Sequence, residues 1–137
     1  MVTLILVTHI EHGNILLNKF NKITKSKNII FIHGSSKDRE KNRKLILDGF
    51  YDIVIASDIF KEGVDIPNLK CLILACGGKS SVALIQRIGR LLRLFPGKDK
   101  AIIYDFADDC KYLRSHYKRR LELLKGIKSF QVNEIET

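Results

Sequence analysis

The chain has 137 residues and a net charge of +9, from 24 Lys and Arg against 15 Asp and Glu. That length fits one compact domain with a real core, and the charge favours a polyanionic partner such as nucleic acid or nucleotide. No apolar run approaches the ~20 residues of a membrane-spanning helix, no basic leader with a cleavage site opens the chain, and Cys71, Cys76 and Cys110 make no C-x-x-C pair, which argues against a membrane protein, an exported one, and a disulfide or zinc scaffold. An intracellular protein is expected, cytoplasmic if bacterial or phage, with Cys71 and Cys76 as small buried residues and no metal site.

In chain order, Leu4-Ile5-Leu6-Val7 is a continuous apolar run, as in a strand buried on both faces, with Thr8-His9 at its carboxyl end. Residues from Gly13 to about Lys25 predict a helix with Leu16, Phe20 and Ile23 on one face. Ile29-Ile30-Phe31-Ile32 predicts a second strand, ended by His33-Gly34. Ser35, with Asp38 three residues on, is a capping signal for a charged helix that runs to about Leu47 and closes at Asp48-Gly49. Ile53 to Ala56 predicts a third strand, ended by Ser57-Asp58 and followed by a loop from Ile59 to Pro67. Cys71 to Ala75 predicts a fourth, leading through Gly77-Gly78 into a helix over 80–98. Ala101 to Tyr104 predicts a fifth. Asp109 to about Lys125 predicts a last helix, with Cys110, Leu113, Tyr117, Leu121 and Leu124 on its apolar side. Its basic residues, Lys111, Arg114, Lys118, Arg119, Arg120 and Lys125, read as a solvated surface, with a phosphate-tracking one as the alternative. The tail from Gly126 reads as either an edge strand or a frayed end.

Strands alternating with helices predict an α/β fold: a mainly parallel sheet in three layers, with helices on both faces. Ligands of such sheets bind beyond the carboxyl ends of the strands. Thr8-His9, His33-Gly34, Ser57-Asp58 and Gly77-Gly78 all fall there. His33 reads as satisfied by a backbone group rather than catalytic.

The helix over 80–98 holds the strongest chemical pattern. Ser80 or Ser81 can cap it and Pro96-Gly97 stops it. Leu84, Ile88, Leu91, Leu92 and Phe95 form one apolar stripe, while Gln86, Gly89, Arg90 and Arg93 share another face. A mid-helix Gly costs about 1 kcal/mol relative to Ala, so close packing or binding is expected there. The face reads either as solvated cationic surface or as an anion reader, since the planar, always-charged guanidinium suits phosphate oxygens and stabilises charge on a transferring phosphoryl group.

Gly77-Gly78-Lys79-Ser80 imitates a P-loop, but the position five before Gly78 is Ile73, not Gly. A structural turn with a helix N-cap is the preferred reading. Without a triphosphate cradle or an acidic pair for magnesium, but with two arginines on one face and a Gly-Val-Asp-Ile-Pro turn, the chain reads as half of an ATP site.

The ordered motifs resemble the second RecA-like domain, the helicase C-terminal domain, of a superfamily-two helicase or translocase. Leu4 to His9 resembles motif IV, Ile53 to Asp58 through Gly63 to Pro67 resembles motif V, and Gln86 to Arg93 resembles the Q-x-x-G-R-x-x-R of motif VI. The Tyr104-Asp105-Phe106-Ala107-Asp108 run is more similar to the XPB-like and phage UvsW-like DNA branch than to the DEAD-box RNA branch. The resemblance spans about Leu4 to Asp109 and implies one domain over 1–137, with the first RecA-like domain absent. It implies that Arg90 and Arg93 contact the γ-phosphate of ATP held with Mg2+ mainly by that first domain. It implies Gln86 at the same interdomain site, and Gly63 and Asp65 near the ribose and the partner domain. Ser57, in the family's Thr slot, is implied to contact a phosphate of the nucleic acid strand, with Thr8, His9 and Arg39 as further strand contacts. The isolated chain is then expected to hydrolyse ATP negligibly. Half of an RNA helicase, a stand-alone nucleic-acid-binding module, and a small-ligand enzyme using Gly77-Gly78-Lys79 are the alternatives.

Overall fold

The computed structural model describes residues 2–25, 27–33, 39–57, 68–75, 100–106, 111–127 and 131–135. Its elements run β1 (Val2–Val7), α1 (Ile10–Ile23), β2 (Ile29–Ile32), α2 (Arg39–Leu47), β3 (Ile53–Ser57), β4 (Leu69–Leu74), β5 (Ile102–Asp105) and α3 (Lys111–Gly126). The five strands form one sheet in the order β2-β3-β1-β4-β5, and every neighbouring pair is parallel. The parallel α/β sheet expected from the sequence is therefore present. The helix over 80–98 lies outside the described residues, as do Gly34, Ser35, the loop from Ile59 to Pro67, the turn at Gly77-Gly78, Cys76 and Cys110.

Alternation along the strands divides the core in two. Leu4, Leu6, Val54, Ala56, Leu72 and Leu74 point to one face, where Ile46 of α2 and Leu124 of α3 cover them. Ile5, Val7 and Ile55 point to the other, where Leu16, Leu17 and Phe20 of α1 cover them. Leu4, Ile55 and Leu72 are fully buried, and burying such a side chain contributes about 1.5–3 kcal/mol.

Several expectations need correction. Helix α1 begins at Ile10, not Gly13. His9 is its extended N-cap residue, and the Gly13 N–H already reaches back to His9 O at 3.2 Å. Gly13 lies inside the helix, and a Cβ there would strike the Phe31 ring of β2. Ile23, placed with Leu16 and Phe20 on the apolar face, is 77% exposed. It is the last residue of the helix, and the cluster beneath α1 ends at Phe20. Strand β4 begins at Leu69 because the register skips one residue: Val2 pairs with Leu69 but Thr3 with Cys71. Lys70 is the extra residue, and it is exposed. Cys71 is half-buried rather than buried. The tail forms no strand over 131–135.

The amino ends of the strands are closed by side-chain latches. Asn28 donates through its backbone N to Asp52 Oδ2 and through Nδ2 to Phe50 O, both at 3.0 Å. Its carbonyl accepts from Asp52 N and Ile53 N. Asn68 Nδ2 donates to Ile46 O at 2.9 Å, a second bond to a carbonyl at the helix end that also accepts the Gly49 N–H. At the other end of the sheet, β1 runs straight into exposed residues.

Candidate functional site

The site residues that the structure describes gather at the carboxyl ends of β1 and β3. These strands are neighbours, and Val7 pairs with Ser57 in register. Thr8 and His9, which continue β1, are therefore beside the end of β3. Both are exposed. The β1 run of apolar residues stops at Val7 because Thr8 leaves the sheet, and His9 turns the chain into α1. Its side chain makes no capping bond, so it does not serve to close its own helix. Next in line, Ala75 N donates to Leu6 O at 3.0 Å and extends β4 beside the same end.

Ser57 reaches this end but is only 2% exposed. The strand end thus presents Thr8 and His9 to solvent and keeps Ser57 beneath. Arg39 is the first residue of α2, and its side chain lies outside the described residues. Gln86, Arg90, Arg93, Gly63 and Asp65 also lie outside them. His33, which ends β2, tilts its ring against Phe31 with centroids 5.0 Å apart.

Sequence reading missed one pair of charged residues. Arg120, assigned to the solvated basic surface of the last helix, is 2% exposed. Its Nε donates to Asp105 Oδ2 at 2.8 Å, and Asp105 Oδ1 accepts the Phe106 N–H at 2.9 Å. The carboxyl end of β5 is thereby tied to α3. Spacing carried the signal: Arg120 lies three residues after Tyr117 and four before Leu124, inside the apolar stripe of its own helix. Arg114, Lys118, Arg119 and Lys125 are exposed, as expected of the outer face.

Two groups on these elements are shifted by burial. Desolvation raises the Cys71 thiol above its ordinary value, opposed by a hydrogen bond with Thr3. Desolvation, then the charges of Glu134 and Asp105, raise the Tyr117 phenol. Among the described residues no cluster of three His, Cys, Asp or Glu is placed to hold a metal ion. Asp105, a carboxylate at a strand end, is already bonded to Arg120 and Phe106. The described strand ends therefore do not fit a magnesium cradle. What they offer is a hydroxyl and an imidazole facing solvent. No described helix is long and apolar enough to cross a membrane.

The sequence model of the helicase conserved C-terminal domain matches residues 2–95. A putative mitochondrial ATP-dependent helicase, irc3 of Schizosaccharomyces pombe, is 32% identical over 118 residues, covering 83% of this chain and 19% of that protein. The ATP-dependent DNA helicase uvsW of Enterobacteria phage T4 is 28% identical over 76% of this chain and 21% of its own length. The chain thus spans about a fifth of the length of these curated relatives. In three dimensions, T4 UvsW superposes over 90% of this chain and 29% of its own, with a TM-score of 0.67 and 24% identity. The C-terminal domain of the DEAD-box protein Dbp5 superposes over 93% of this chain and 72% of its own, with a TM-score of 0.70 and 18% identity.

Proposed function

The chain belongs to the helicase conserved C-terminal domain family of superfamily-two helicases, and we propose that it is the second motor domain of an ATP-dependent DNA translocase acting in repair, recombination or replication. The observation that carries the reading is the pair of solvent-facing residues, Thr8 and His9, beside the end of β3 at the open end of an all-parallel sheet. In this reading residues 1–137 form one RecA-like domain, and a first RecA-like domain holds ATP and Mg2+. ATP draws the two domains together through Arg90 and Arg93, with Gln86, Gly63 and Asp65 at the same junction. Hydrolysis releases them, and cycles of closing and opening advance the protein along a strand.

Thr8 and His9 are the foremost contacts to the strand, because they are exposed. Ser57 and Arg39 are assigned there by their motif positions. Such contacts are mostly to phosphates, so binding is independent of base sequence and falls steeply with salt. DNA is favoured over RNA by the DNA helicase of phage T4 at 28% identity; the likeness to a DEAD-box domain at 18% identity concerns the fold alone.

The test is Arg90→Ala in the two-domain protein. An arginine that stabilises a transferring phosphoryl group is worth about 10³–10⁵ in kcat, so nucleic-acid-stimulated ATPase activity drops by that order while the fold is kept. Full activity in the variant overturns the assignment. The same assay with single-stranded, duplex and forked DNA and with RNA decides the substrate, and stimulation by RNA alone replaces the DNA reading with that of an RNA helicase half.

A further inference from the structure

The last helix carries cations where a helix least favours them. Helix α3 opens on Lys111 and has no acid in its first turn, so Lys111 and Arg114 stand at the positive end of the helix dipole, where cations destabilise. Arg114 and Lys118 are four residues apart, and like charges at that spacing oppose the helix as well. Both are exposed, and among the described residues no carboxylate pairs with either. Lys125, farther along the same side of α3, differs: its Nζ is 3.7 Å from Glu134 Oε2. The ion pair of Arg120 shows where the unpaired cations stand. Its bond to Asp105 sets the middle of α3 level with the carboxyl end of β5. Asp105 is in register with Leu74, and Leu74 with Leu6. This is therefore the sheet end at which Thr8 and His9 emerge, two strand spacings or about 10 Å away. Leu124, one turn after Arg120, belongs to the core beneath α3, so the helix descends onto the sheet from that end. Lys118 and Arg114 precede Arg120 by about 3 and 9 Å along the axis, which brings them to the rim beside Thr8 and His9.

We propose that Arg114 and Lys118 form a second nucleic-acid contact, a short row on α3 that holds the phosphate backbone as it passes the rim of the sheet; the proposal rests on the nucleic-acid reading above. Two charges four residues apart are about 6 Å apart along the helix axis, close to two backbone repeats of ~3.4 Å on one strand. The Arg114 fork suits two phosphate oxygens at once, and the Lys118 ammonium meets one as a point charge. Such contacts fix the path of the strand and carry no base information. A net charge of +9 draws in any polyanion. The position of the row at the rim shared with Thr8 and His9 selects nucleic acid over an acidic peptide. A bound phosphate also explains why the cations are kept in a place that weakens their own helix.

The experiment measures binding of the 137-residue chain to a labelled single-stranded oligonucleotide and to a labelled duplex by fluorescence anisotropy, over about 50 to 200 mM salt. The variant is Arg114→Gln with Lys118→Gln. Its control is Lys19→Gln with Lys22→Gln, which removes the same charge from exposed positions of α1 on the other face of the sheet. Losing two phosphate contacts is expected to flatten the slope of log K against log salt by about 1.4 on the single strand or about 1.8 on the duplex, and the form that shows the change is the form held. The thermal midpoint of the variant is expected to hold or rise, because two cations leave an unfavourable place and Gln is a good helix former. An unchanged slope overturns the proposal. So does an equal change in the control, which reduces the effect to net charge, and so does a lowered midpoint, which assigns the two side chains to the fold. Displacement of the oligonucleotide by polyglutamate as readily as by unlabelled strand assigns the row to acidic peptides and overturns it too. If the parent chain binds neither oligonucleotide, the nucleic-acid reading fails and the proposal falls with it. Thr8→Ala with His9→Ala is measured in parallel, so that failure of the strand-end assignment is seen independently of α3.

Discussion

Arg120 and Asp105 form a buried ion pair across α3 and β5, Nε to Oδ2 at 2.8 Å, with side chains 3% and 9% exposed. Arg120 Nη1 is buried with no hydrogen-bond partner among the described residues. Removing one member of such a pair strands the other charge and costs about 3–5 kcal/mol, whereas removing both costs far less. Arg120→Met is therefore expected to lower unfolding free energy by about 3 kcal/mol in urea denaturation. Adding Asp105→Asn, which keeps an acceptor for the Phe106 N–H, recovers part of that loss. A loss under about 0.5 kcal/mol for Arg120→Met, the level of ordinary surface substitutions, returns Arg120 to the solvated face.

Gly13 and Phe31 make a second close relationship. A Cβ built on Gly13 falls under 3 Å from three atoms of the Phe31 ring, and the ring belongs to the cluster beneath α1. Overpacking of this kind costs about 1–3 kcal/mol. Gly13→Ala is expected to destabilise by that amount despite the better helix propensity of Ala. Phe31→Leu opens the space, so the double variant loses less than the sum of the two single losses, a coupling read from a double-mutant cycle. Simple additivity would mean that α1 and β2 are not held this close.

The sheet was legible because its strands carry their apolar runs openly, as at Leu4 to Val7, which is buried throughout. What the runs could not show was registration. The skipped residue Lys70 moved the start of β4 to Leu69, and nothing in a charged residue beside an apolar run marks a register shift. Nothing in the sequence explains a glycine at position 13 within α1; its reason is a contact with a ring in another strand, which is tertiary. Arg120 looks like its basic neighbours on the last helix by residue type alone, although its spacing puts it between Tyr117 and Leu124 on the apolar side, where it is buried. The apolar runs place Thr8, His9 and Ser57 at strand ends, where the structure has them, but the covering of Ser57 depends on neighbours in space and has no sequence signature.

The end of α2 offers a test of backbone rather than packing. Gly49 has φ of 81°, its N–H bonds to Ile46 O at 3.1 Å, and Phe50 N bonds to Leu45 O at 2.9 Å. This crossed pair of bonds is the Schellman closure of a helix, which requires a left-handed residue at the turn. A Cβ at Gly49 would meet nothing within 4 Å, so any penalty is conformational alone. Gly49→Ala is expected to cost about 1 kcal/mol, and Gly49→Asn less, because Asn tolerates this region. Equal stability of Gly49→Ala and the parent by chemical denaturation would show that the left-handed turn is not retained.

Cys71 carries a pH dependence whose sign is fixed by its surroundings. Burial raises the thiol pKa above its ordinary value of 9.0, more than the hydrogen bond with Thr3 lowers it. The folded chain therefore keeps this proton at a pH where the unfolded chain has begun to lose it. Stability from this group is fully present below 9.0 and declines as pH rises through the folded value. The thiolate is the reactive form, so on a background of Cys76→Ser and Cys110→Ser, iodoacetamide modification of the native chain is expected to be slower at pH 8.5 than that of the urea-unfolded chain, with the rate still climbing above pH 9.5. A rate that levels off below pH 9 would mean that Cys71 is more open to water than its place between β1 and β5 implies.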